Sequence, residues 1–340
     1  MMPRSIFSRR KLALAALTTV FLLLGAEGWL RWFQPVSFRK PPEPISAEKR
    51  EKLVFQHSDL PGLSYELAPN KREMAYGKLV ETNSFGMRGD EPRTGDSAPQ
   101  FRIATIGDSF TFGHSVLGEH CYAEVLEQIL SREEAAGRFE VLNFGVSGYT
   151  TQQEATVLEH KVLQWDPQLV VIGYYLNDPE TDPRHQLHQT FGEVKWWQHS
   201  HLLRLMAKSK VKWDIDRYGN GDYISYLHYP NGAKWKTVTT AFADIQRLTS
   251  ERDISVLLVI FPRTGNAWAQ YPSEPIHRQV EDAARAAGMD VIDLLPAYSK
   301  YRPLELMISP SNNHPNPLGH RIAAQAIFEW IEEHKAEVFD

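Results

Sequence analysis

Beyond residue 100 the chain alternates between two hydrophobic periods. Short apolar runs at 101–107 (FRIATIG), 139–146 (FEVLNFGV), 169–176 (LVVIGYYL), 254–262 (ISVLLVIFP) and 289–295 (MDVIDLL) read as buried strands. Between and after them, 122–135, 150–165, 235–251, 276–288 and 316–335 repeat apolar residues at three- and four-residue spacing, the helical pattern. Strands separated by helices of that length cannot pair as hairpins. They need crossovers, which make the sheet parallel and cover both its faces. The pattern predicts an α/β domain in three layers: a doubly wound, flavodoxin-like parallel sheet of five strands in the order 2-1-3-4-5. The rhythm breaks once, over 179–233, where histidines, aromatics and turn residues replace it. A stretch that long reads as an insertion or a lid.

The first hundred residues follow neither period. Arg4, Arg9, Arg10 and Lys11 stand ahead of an uncharged run over 12–26 (LALAALTTVFLLLGA), and Gly28, Trp29 and Leu30 extend it past Glu27. Trp29 and Trp32 suit a membrane interface, and no good small-x-small cleavage pair follows. Residues 1–33 are therefore expected to be an uncleaved, single-pass signal anchor, with a cleaved signal peptide as the other reading. Either way the positive charges stay inside, and the rest of the chain is expected on the periplasmic or extracellular side. Residues 34–100 follow as a proline- and charge-rich linker and a small ordered prelude, then the main domain over 101–340 with its insertion at 179–233.

Composition narrows the function. Lys+Arg 37 against Asp+Glu 42 leaves a net charge of −5, too little positive field to draw nucleic acid. Cys121 is the only cysteine, which rules out an intramolecular disulfide framework and any multi-cysteine zinc site. His185, His188, His199 and His201 cluster in the insertion, but their spacing matches no common zinc motif. They are expected to be solvated; no metal and no cofactor are expected. The insertion is also rich in Trp and Tyr, which suits either stacking on sugars or a satellite core.

In a parallel α/β sheet, ligands sit beyond the carboxyl ends of the strands. Four polar clusters fall there: Gly107-Asp108-Ser109, NFGVSGYTT (143–151), YYLND (174–178) and SNNHPNPLGH (311–320). Each alone has a plain structural reading: a helix cap at Asp108-Ser109, a tight turn at Gly148, a cap at Asn177-Asp178, a loop histidine at His314. Four on one edge favour a site. His320, six residues on, is expected to be structural.

The blocks GDSFTFG, GVSGYTT, YLND and HPNPLGH, in that order and at those strand ends, resemble the four signature blocks of the SGNH/GDSL hydrolase family over roughly residues 100–335. The upstream TNSFGMRGDE resembles the prelude of membrane-anchored or exported bacterial members. The resemblance implies Ser109 as nucleophile, His314 as general base, and an oxyanion hole from Ser109, Gly148 and Asn177. The chemistry needs these types: a hydroxyl attacks only when a base takes its proton, and the oxyanion needs fixed donors. The Gly-x-Ser-x-Gly elbow of α/β-hydrolases is absent.

One departure stands out. The family usually places an aspartate two or three residues before the histidine; Asn312 and Ser311 hold those positions here. They are the candidates for orienting the ring. A neutral partner cannot offset the imidazolium, and an asparagine can select the wrong tautomer. A Ser–His dyad, a carboxylate from a distant segment and a weak enzyme all stay open. The expected activity is an exported serine esterase cleaving acyl esters, acetyl first, with an acylated envelope saccharide as substrate and no nucleic-acid partner. The rivals are an O-acyltransferase using the same residues and an inactive binding module.

Overall fold

A computed structural model describes residues 9–42, 45–134, 137–180, 186–265 and 267–339. The 25-residue helix α1 (Arg9–Phe33) comes first, with Leu12, Leu14, Leu17, Val20, Phe21, Leu22, Leu23 and Leu24 exposed and Leu30 buried. Among the described residues it is the one helix long and apolar enough to cross a membrane. At 1.5 Å per residue it measures about 37 Å, against about 30 Å for a hydrocarbon core. After the short α2 (Ala47–Glu51), the prelude forms two antiparallel pairs, β1 (Phe55–His57) with β2 (Tyr65–Leu67) and β3 (Arg72–Ala75) with β4 (Lys78–Glu81). These hairpins are built into the domain. Phe55, Tyr65, Leu67 and Val80 share one buried cluster with the sheet. Buried Arg88 donates to the carbonyls of Phe112, Gly113 and Val116 at 2.5–2.6 Å.

The alternating units follow: β5 (Phe101–Gly107), α3 (Ser109–Phe112), α4 (Tyr122–Glu133), β6 (Phe139–Asn143), α5 (Thr151–Val157) and β7 (Leu169–Tyr175). The insertion is helical, with α6 (Gln186–Phe191), α7 (His201–Tyr218) and α8 (Tyr223–Leu227). The units then resume with α9 (Ala233–Ser250), β8 (Ser255–Phe261), α10 (Glu274–Ala287) and β9 (Asp290–Asp293). The short α11 (Leu295–Tyr298) and α12 (Pro303–Leu306), the hairpin β10 (Met307–Ser309) and β11 (Asn312–Pro315), and α13 (Pro317–Phe339) complete the chain.

The five strands are parallel in the order β6-β5-β7-β8-β9, which is the predicted 2-1-3-4-5. Successive side chains segregate to opposite faces, as the pleat requires. Ile103, Val171, Leu257, Val259 and Phe261 pack with α4 and α13, while Ile106, Val170, Ile172, Leu258 and Ile260 pack with α5, α9 and α10. Three layers result.

Two boundaries differ from the sequence reading. The run over 139–146 is strand only to Asn143, whose side chain leaves the ladder: Oδ1 accepts from Gly145 N–H at 2.9 Å, and Nδ2 donates to Thr111 O at 3.0 Å. The helix over 150–165 begins on a Thr150–Gln153 capping box but changes to a π turn over Leu158–Val162 and a 3-10 turn over Leu163–Trp165. Val157, Leu158, Val162 and Leu163 are all buried. Their five-residue offsets line up on one face only when the turn widens.

Candidate active site

Strand β5 ends at Gly107, where φ is +156° and a Cβ would meet Thr111 Oγ1 at 2.1 Å, so the turn into α3 requires glycine. Asp108 caps α3, its Oδ1 accepting from Phe110 N–H at 2.8 Å. Ser109 is thereby fixed at the helix start, at the carboxyl end of the sheet. His314 reaches it from β11, 205 residues on, with Nε2 at 2.9 Å from Ser109 Oγ.

The far nitrogen answers the question of the orienting residue. His314 Nδ1 lies 2.7 Å from Asn312 Oδ1, and the same oxygen accepts from His314 backbone N–H at 3.3 Å. Asn312 Nδ2 faces Ser115 Oγ at 3.1 Å. A backbone N–H can only donate, so the atom facing the ring is the amide oxygen. The proton must then sit on Nδ1, leaving the Nε2 lone pair towards Ser109. Among the described residues no carboxylate bonds Nδ1, and Ser311 lies apart, exposed and paired with Ser309 at 3.2 Å. The neighbouring Asn313 fixes the loop, donating from Nδ2 to Tyr175 OH at 3.0 Å and accepting at its carbonyl from Thr264 Oγ1 at 2.9 Å.

Gly148 and Asn177 share with Ser109, His114 and His314 a cavity of about 360 Å³. The Gly148 turn, at φ +83°, is held from two sides. Tyr65 OH of the prelude donates to Ser147 O at 2.7 Å, fixing the peptide plane that carries Gly148 N–H and turning that N–H to the opposite side. His188 of the insertion donates from Nε2 to Gly148 O at 2.9 Å, with its Nδ1 3.2 Å from Ser64 Oγ. His188 is thus a strut, and burial lowers its pKa, keeping it neutral. His114 stacks on the His314 ring (centroids 4.0 Å, 10°), and Tyr76, from the β3–β4 turn, stacks on His114 (3.8 Å, 30°). Neither Tyr65, Tyr76, His114 nor His188 was singled out from sequence as part of the site.

Beneath the cavity lie three buried carboxyls. Burial pushes Asp108 up to about 6, with the hydrogen bonds from Phe110 and Ser109 working against it. Burial and mutual repulsion push Glu154 and Asp178 well above the carboxylate range. Ser109 Oγ also stands 3.2 Å from Asp108 Oδ2, so its single proton has two acceptors. Among the described residues no His, Cys, Asp and Glu group is arranged to hold a metal. His201 Nδ1 accepts from Val36 N–H, far from His188, and His185 falls outside the described residues. His320 is fully buried, with Nδ1 3.3 Å from Tyr122 N, and burial lowers its pKa to about 3.

The family model for GDSL-like lipase/acylhydrolases matches residues 105–322. No curated protein sequence matches the chain. Among solved structures, the chain is similar to a catalytic mutant of Axe2, an acetylxylan esterase from Geobacillus stearothermophilus, at 18% identity over 68% of this chain and 94% of that one (TM-score 0.45). It is similar to an acetyl xylan esterase, AlAXEase, at 16% identity over 68% and 100% (TM-score 0.44). A two-domain esterase active on acetylated mannans gives 18% identity over 69% and 50% (TM-score 0.43).

Proposed function

This chain belongs to the GDSL-like lipase/acylhydrolase family, and we propose that it is a membrane-tethered serine esterase acting outside the cytoplasm. The observation that carries the reading is the line Asn312 Oδ1–His314–Ser109 Oγ, at 2.7 and 2.9 Å. Ser109 Oγ attacks the ester carbonyl carbon as its proton passes to His314 Nε2. The carbonyl oxygen takes the negative charge, facing the N–H groups of Ser109 and Gly148 and the amide of Asn177. His314 returns the proton to the departing alkoxide, which leaves as an alcohol and an acyl–Ser109. Water then repeats the sequence, giving its proton to His314 and its oxygen to the acyl group, and Ser109 recovers its proton. Losing one oxyanion donor typically costs about 3–4 kcal/mol in the transition state.

A cavity of about 360 Å³ holds a small acyl group. Its wall joins the stacked rings of Phe110 and Tyr175 (3.9 Å, 21°) to polar groups of Asn313 and Glu180. That mixture suits an acetylated saccharide. Arg4 before α1 and Arg9, Arg10 and Lys11 in its first turn support the orientation, with everything after Phe33 on the far side of the membrane. The test is hydrolysis of p-nitrophenyl acetate and of an acetylated glycan by the full chain, with a fluorophosphonate as active-site label. Ser109→Ala should lower kcat by about 10⁴-fold or more and abolish labelling while leaving the melting curve nearly unchanged. Retained hydrolysis in a pure, folded variant overturns the reading.

A further inference from the structure

Helix α7 carries apolar side chains on two opposed faces, and a helix packed on one side needs only one. Leu203, Ala207, Val211 and Ile215 recur at four-residue spacing and are half-buried on the protein side. Opposite them Leu205, Met206 and Trp213 are exposed, Met206 at 59% and Trp213 at 58%. With Leu202 and Ser209 they recur at three and four residues, forming one outward stripe over 202–213 that ends at exposed Asp216. Lys208 and Lys212 flank the stripe on one side, Lys210 and Arg217 on the other, all four exposed. An apolar stripe between basic flanks is the pattern of a helix lying in a membrane interface.

The start of α7 is fastened to α1. Glu27 accepts from Ser200 Oγ at 2.9 Å, His201 N–H at 3.0 Å and Leu202 N–H at 2.8 Å, so one carboxylate caps the helix N-terminus. Arg31 bonds both Glu27 and the His199 carbonyl, at 3.1 Å each, and Val36 N–H donates to His201 Nδ1 at 2.9 Å. These bonds hold the insertion at the end of α1 where Trp29, Trp32 and Phe33 are exposed. Trp196, just before α7, adds an exposed indole at the same junction.

We infer that α7 lies on the outer leaflet of the membrane that α1 crosses, with its Leu205–Met206–Trp213 stripe at the headgroup–acyl boundary and its lysines on anionic phosphates. This rests on the reading of α1 as a membrane anchor. Two attachments, the span and the surface helix, then fix the tilt of the domain against the bilayer. A single tether would let it swivel.

The test uses the full chain in nanodiscs of phosphatidylcholine and phosphatidylglycerol. Cys121 is the only native cysteine and is buried, so a single introduced cysteine can be spin-labelled selectively. Ser209→Cys places the label mid-stripe without removing an apolar group, Val20→Cys reports on α1, and exposed Glu251→Cys is the aqueous control. The expected result is a ratio of oxygen to nickel-chelate accessibility severalfold higher at 209 than at 251, and higher still at 20. A membrane-buried label at 20 with 209 as aqueous as 251 overturns the surface helix and leaves the anchor standing. An aqueous label at 20 overturns the anchor and this inference with it. A label at 209 shielded from both probes and broadened by a second label shows that another copy of the chain covers the stripe, which also overturns it.

Discussion

In the proposed mechanism Asn312 sets how well His314 acts as a base. Its oxygen, held by the His314 backbone N–H, selects the productive tautomer but supplies no charge to the imidazolium that forms in the transition state. Asn312→Asp supplies that charge and should raise kcat about tenfold at nearly constant KM, the equivalent of ~1.4 kcal/mol. A carboxylate there also stabilises the protonated ring, and the base works only when neutral. The acid limb of the kcat/KM profile should therefore move to higher pH. Ser311→Asp should change neither, because that side chain faces Ser309. Equal gains from both variants would contradict the geometry. His114 lays a π face 4.0 Å from His314. Its replacement by alanine should lower kcat more than it raises KM, as a contact strengthened by the imidazolium would.

At the level of elements, the site is assembled from segments with little contact in sequence. The prelude strand β2 brings Tyr65, whose hydroxyl holds Ser147 O across 82 positions, and Tyr149 OH bonds back to Tyr65 O. Tyr65→Phe keeps the packing and removes only the hydroxyl. It should cost about 1 kcal/mol of stability and lower kcat roughly tenfold, because Gly148 N–H loses its fixed aim. A stability loss with unchanged kcat would make Tyr65 a packing residue alone. The insertion supports the same turn through His188, so the prelude and the insertion act on one oxyanion loop from opposite sides.

Across the whole molecule, buried titratable groups set opposing pH limits. Asp108, Glu154 and Asp178 bind protons more tightly folded than unfolded. Their contribution is fully present below the ordinary carboxylate range and is lost as pH rises, for Asp108 by about 6. His228, buried between Tyr174 OH and Ile224 O and lowered to about 4, has the reverse sign, losing its contribution as pH falls from 6.5 towards 4. Glu154→Gln removes one titratable group from the carboxyl cluster. Its melting-temperature advantage over the wild type should grow from pH 4.5 to pH 8 in thermal melts. A difference independent of pH would show that Glu154 titrates alike in the folded and the unfolded chain.

Hydrophobic period alone determined the parallel sheet, its strand order and its strand-end clusters, since each apolar run and helical face reports its own neighbourhood. Ser109, Gly148, Asn177 and His314 were picked out because their blocks, placed at the strand ends, resemble the signature blocks of the SGNH/GDSL hydrolases. The blocks carried no information on what orients the histidine. Asn312 and Ser311 were equivalent until the β10–β11 hairpin turned one towards the ring and the other towards Ser309. Tyr65, Tyr76, His114 and His188 were invisible for a related reason. Their partners lie on other segments, and which side chains meet at such separations is set by packing, which no local pattern records. The π turn at Leu158–Val162 and the helical build of the insertion belong to the same class, decided only once the apolar faces had a common core to meet.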